Sequence, residues 1–151
     1  MRVDYRLIEE GNSISISIKI RAASGCYHRE HSPTAYALVD EYLKQHSDLN
    51  IMFEEHESGP EIIVWLALGT AGLTLTKSVI DLVTAVINAR AKGREKGDTC
   101  HSRLLLVVRD THRTTNSTEE IVLEIYDKDI LASDQVRKAI EKGLQKKFSK
   151  Q

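Results

Sequence analysis

Apolar and polar residues alternate with a period of two from Ile14 to Ile20, where four isoleucines are separated by Ser15, Ser17 and Lys19. That spacing predicts a strand with one buried and one wetted face. Val3, Tyr5 and Leu7 alternate in the same way ahead of Gly11 and Asn12, so a hairpin is expected at the start of the chain. Ser32 and Pro33 then read as a helix N-cap and first helical position. Ala35, Leu38, Tyr42 and His46 fall near one face of the helix they would open. "LNIMFEEH" has strand length, and Ser58 to Pro60 closes it. "RLLLVVRD" is apolar throughout, as a central strand would be, and "EIVLEIYD" alternates again after the polar loop "THRTTNSTE". Ser133 caps a last helix whose stripe is Val136, Ile140 and Leu144.

Between these elements lies the most apolar stretch, Gly59 to Arg90. Its longest charge-free run, Ile62 to Thr76, is about 15 residues, against about 20 for a helix crossing a bilayer. Lys77 and Asp81 stand in the way of an extension. A phosphate loop is excluded too, because in "GLTLTKS" the residue before the lysine is Thr76 and not glycine. The stretch reads as a helix, broken near Gly69 to Gly72, with a narrow polar stripe of Lys77, Asp81, Thr84, Asn88 and Lys92. Almost everything else on that cylinder is apolar, so it needs cover on two sides. The sheet supplies one. The other is covered either by the remaining helices of the same domain or by a second copy of the chain or another protein, with Trp65, Leu66, Leu68, Leu73, Val79, Leu82, Val83 and Val86 as the contact residues of such a partner.

These elements make an α+β fold in the order β-β-α-β-α-β-β-α. The expected form is a two-layer sandwich, a mixed sheet of about five strands covered by the long apolar helix and two amphipathic ones. The 151 residues suit one domain spanning 1–151. A net charge of -1 gives no general attraction to nucleic acid. Arg90, Lys92, Arg94 and Lys96 are read as following a helix C-terminus, where they complement its dipole. Charges in "MRVDYRLIEE" interrupt the apolar run of a secretory leader, so none is expected. Two distant cysteines make no disulfide framework, which points to a reducing, cytoplasmic setting.

Residues that could carry chemistry are few. Cys26, His28 and His31, with Cys100 and His101 elsewhere, offer ligands to zinc without the paired spacing of a finger or ribbon. No nucleophile elbow accompanies the cysteines and histidines. "FEEHE" clusters Glu54, Glu55, His56 and Glu57 at a strand end, where a general base could sit, although a solvated strand end is the commoner use of such residues. No cofactor is indicated. The expected function is therefore a non-enzymatic interaction or adaptor module using residues 62–87. A small metal- or cysteine-dependent enzyme built on the Cys26 to His31 loop, and a peripheral membrane protein, are the alternatives.

The succession of "ALVDEYLKQH", a short strand, "GPEIIVWLALGTAGLTLTKSVIDLVTAVINARAK", a basic turn, "LLLVV" and "EIVLEIYD" resembles the effector-associated constant-component domains of bacterial conflict systems. The likeness runs from about Ile14 to Leu144 and lies in layout, with the acidic "FEEHE" and the in-helix Lys77 and Asp81 as departures. It implies a non-catalytic adaptor or sensor encoded beside an effector.

Overall fold

The computed structural model describes residues 14–49, 51–66, 75–110, 119–127 and 129–148. Strand β1 (Ile14–Ala22) leads to helix α1 (Pro33–Gln45), the hairpin of β2 (Ile51–His56) and β3 (Gly59–Leu66), and the long helix α2 (Lys77–Glu95). A second hairpin, β4 (Leu104–Asp110) and β5 (Glu120–Ile125), precedes helix α3 (Ser133–Phe148). The five strands form one open sheet in the order β2-β3-β1-β4-β5. Every neighbouring pair is antiparallel, where the sequence suggested a mixed sheet. The expected strand at Val3 to Leu7 lies outside the described residues, as do Gly69 to Gly72.

The period of two in β1 works as its pattern requires. Ile16, Ile18 and Ile20 are fully buried in the core shared with all three helices, and Ser17, Lys19 and Arg21 belong to the other face. Pairing Ile18 with Ile62 and Val108 extends the core face across the sheet.

The opening of the apolar stretch, Gly59–Leu66, is strand β3 and not helix. Ile62, Ile63 and Val64 are β-branched, and β3 is paired on both sides, by β1 and β2. A strand in that position can be apolar on both faces, which removes the alternation that would distinguish it from a buried helix. Gly59 permits the entry into this strand. Its φ is +150°, and a Cβ there would lie 1.9 Å from the Ile20 carbonyl oxygen.

Helix α2 begins at Lys77, where the Thr76 hydroxyl accepts the Val79 N–H at 3.4 Å. Its apolar faces are covered within the chain. Val79, Ile80, Leu82, Val83, Val86 and Ile87 are all buried in the core. The polar stripe has an internal purpose as well. Asp81 accepts from the Ser133 hydroxyl at 3.0 Å, and Asn88 exchanges two 2.9 Å bonds with the backbone of Leu131, which anchors the approach to α3. Thr84 donates to the Ile80 carbonyl. The helix also runs further than expected, so Arg90, Lys92 and Arg94 are part of it.

At the start of α1, Ser32 holds the N-cap position but its side chain makes no cap. The carboxylate of Asp98 does this instead, accepting Thr34 N–H at 3.0 Å and Ala35 N–H at 2.8 Å. In α3, Val136, Ile140 and Leu144 are buried, the stripe read from the sequence. Among the described residues, no helix is long and apolar enough to cross a membrane.

Candidate functional site

On the sheet face opposite the helices, the acidic end of β2 meets Glu61 of β3, which Ser17 of β1 and Arg109 of β4 also reach. Register places Glu54 directly across from Glu61, and Ser17 opposite Arg109. Two carboxylates so placed repel unless cations lie beside them. His56 Nε2 stands 2.9 Å from Glu61 Oε1 and 3.3 Å from Glu54 Oε1. On the other oxygen, Glu61 Oε2 accepts from Arg109 at 2.8 Å and from the Ser17 hydroxyl. Glu61 is 3% exposed. Burial alone would push its carboxyl up, but the Ser17 and Arg109 hydrogen bonds, the Arg109 charge and the His56 contact hold it below the ordinary carboxylate value.

Glu54, His56 and Glu61 are the one group among the described residues whose ligand atoms converge closely enough for a metal, all within 4.8 Å. Their donors are already matched, however. Arg109 neutralises Glu61, and His56 Nε2 lies within reach of both glutamates, so these groups already partner one another. The neighbouring Glu55 is engaged as well. Arg29 forks between Glu55 and Asp40 with bonds of 2.7–2.9 Å, tying β2 to α1, and its hydrogen bond holds the Asp40 carboxyl below its usual range. Glu54, Glu55 and His56 of "FEEHE", where a general base could sit, are thus drawn into structural contacts.

The second polar centre is formed by Cys26 and Cys100. They are joined by a disulfide with Cα atoms 5.2 Å apart, which corrects the expectation of two unrelated thiols. Cys26 lies in the loop after β1 and Cys100 in the loop after α2, 74 residues apart, so only the fold brings them together. A hollow of about 220 Å³ opens beside them, lined by Ser24, Cys26, His31, Thr99, His101 and Ser102. The proposed metal set of Cys26, His28 and His31 does not converge. The Cys26 sulfur is bonded to Cys100, while the His28 and His31 rings face each other with centroids 4.9 Å apart.

A third arrangement is buried. Arg90, 1% exposed, donates to the carbonyls of Ser102, Ile125 and Tyr126, so one α2 side chain clamps the start of β4 to the end of β5. Beside it, Arg94 reaches Asp127 at 3.2 Å and the Asp98 carbonyl at 2.9 Å. These arginines, read from the sequence as dipole-complementing charges, are structural hydrogen-bond donors.

Of the expected contact residues, Val79, Leu82, Val83 and Val86 lie in the protein's own core. Trp65 and Leu66 belong to β3, and Leu68 and Leu73 lie outside the described residues. Sequence reasoning missed Glu61, Arg109, Asp98 and the Cys26–Cys100 pair, each of which has a partner remote along the chain. The one local hint was Asp98 itself, an acid directly after a glycine and next to the end of a helical pattern. The chain matches no family model, no curated protein and no solved structure.

Proposed function

We propose that the chain is a non-enzymatic interaction module that pairs with a second copy of itself along the edge of β2. The observation that carries this reading is the condition of that edge. β2 runs in unbroken register with β3 over all six of its residues, and among the described residues no strand lies beyond it. The opposite edge, β5, is interrupted by a bulge against Leu106 and Val107, a feature that blunts strand addition.

A two-fold axis perpendicular to the sheet keeps the faces of both copies aligned. Centred on Phe53, it sets Phe53 against its own counterpart, Met52 against Glu54, and Ile51 against Glu55. The aromatic pair is favourable, and no glutamate meets a like charge. Met52, 45% exposed, is free to take part. Association is thus assigned to the sheet edge in place of the 62–87 segment. The role is that of an adaptor, as the resemblance to conflict-system domains implies.

Light scattering over a dilution series tests this reading. The expected result is a dimer that Met52→Glu dissociates, by opposing two acids across the interface, and that Met52→Lys preserves, by offering Glu54 a cation. Ile121→Glu, on the other edge, should leave the dimer intact. A monomer at every concentration, or a dimer indifferent to Met52→Glu, overturns it.

A further inference from the structure

We propose that Cys26 and Cys100 form a reversible thiol–disulfide exchange site that takes a low-molecular-weight thiol at Cys26. The two sulfurs differ in access. Cys100 is 1% exposed, whereas Cys26 is only partly buried and lines the hollow. An incoming thiolate therefore reaches one sulfur and not the other.

The surroundings of Cys26 suit a thiolate. The Ser24 hydroxyl donates to its sulfur at 3.3 Å, and the Ser102 hydroxyl lies 3.6 Å away. Hydrogen bonds to an anionic sulfur favour that form over the thiol. His31 and His101 place two imidazoles on the same hollow, able to carry protons to and from the sulfurs, and Thr99 adds a further hydroxyl. The space is adequate for a cysteinyl group, and every residue lining it except Cys26 is polar.

The chemistry balances with thiol as the only co-reactant. A thiolate attacks Cys26 Sγ and forms a new S–S bond, while the Cys26–Cys100 bond breaks and its electron pair leaves on Cys100 Sγ, which takes up a proton. A second thiolate then attacks the sulfur of the first. This releases the small disulfide and leaves Cys26 as thiolate. Two thiols are oxidised and one protein disulfide is reduced; the reverse sequence closes the bond. Such a pair accommodates a disulfide within a reducing compartment, where stable disulfides are rare.

Opening the bond removes a staple beside the start of α1. Thr99 N–H donates to the His31 carbonyl at 3.0 Å, and Asp98 caps the helix from the residue before it. These bonds hold the same two loops together, so the domain should remain folded after reduction.

The test uses the full chain equilibrated with mixtures of reduced and oxidised glutathione, quenched by alkylation and weighed intact. Both thiols should appear together as the mixture becomes more reducing, without loss of the folded circular dichroism signal. In Cys100→Ser, oxidised glutathione should add one glutathionyl group at Cys26 about tenfold faster than it adds to Cys100 in Cys26→Ser, because access and hydroxyl donors favour Cys26. Should either variant fail to fold, peptide mapping of the reduced native protein after brief alkylation replaces it, with Cys26 labelled first. A disulfide that opens only on unfolding, or a Cys100 that reacts as fast as Cys26, overturns the proposal.

Discussion

A Cβ added to Gly93 would lie 2.1 Å from the carboxylate oxygen Oδ2 of Asp98. The glycine is what lets that carboxylate reach the first turn of α1, because the same added carbon would come within 2.9 Å of the Ala35 nitrogen. Helix α2 thus approaches the start of α1 at a point where only a hydrogen fits. Gly93→Ala should cost about 1–3 kcal/mol through overpacking, despite the better helix propensity of alanine. Asp98→Ala should cost about 1–2 kcal/mol by uncapping α1. Urea melts of both variants check this; a Gly93→Ala protein as stable as the parent would mean that Asp98 has room to move.

The Glu61 network predicts a particular loss of stability in acid. The folded-state value of the Glu61 carboxyl is depressed, so the stability it contributes is complete above the ordinary glutamate range, about pH 4.3. That stability drains as pH falls through the lower folded value. Asp40, Asp81 and Asp127 are depressed too, so acid sensitivity is shared. Subtracting the Glu61→Gln curve from that of the parent isolates the Glu61 part. The difference should be about 1–3 kcal/mol near neutrality and shrink towards zero in acid. A difference independent of pH would remove the carboxylate charge from the account.

Arg90 is expected to resist its usual conservative replacement. Burial pulls its value down from the ordinary arginine range, yet its planar fork serves three carbonyls from two strand ends. A lysine ammonium presents its donors from one point and leaves part of that set unpaired. Arg90→Lys should therefore lose about 3 kcal/mol. Arg94→Lys, whose partner Asp127 is partly exposed, should lose under about 1 kcal/mol. Thermal melts of the two variants in parallel read the contrast.

Local periodicity carried much of the fold. The alternation of Ile14 to Ile20 placed β1 and its faces, and the Val136–Ile140–Leu144 stripe placed α3, because each pattern reports one buried side against one wet side. Where both sides are buried the pattern vanishes, and Ile62 to Leu66 was read as helix for that reason. The polar stripe from Lys77 to Lys92 was legible as a pattern, but not its use, since Leu131 and Ser133 become its partners only after the chain returns. The same holds for the polar centres. Glu54 and His56 stood out locally, whereas Glu61 was hidden in an apolar run, and nothing near Cys26 announces Cys100.

The position of β1 has a consequence for the order in which the molecule assembles. β1 emerges from the ribosome before either hairpin, yet Ile18 finds its neighbours in Ile62 on one side and Val108 on the other. The two hairpins close locally and quickly, while the strand between them completes its pairing only when both have formed. During that interval a β-branched, alternating segment stands incompletely paired, the type of sequence that other chains can capture. The vulnerable moment of this protein therefore falls during synthesis, and the segment to shield then is the one that finishes at the centre of the sheet.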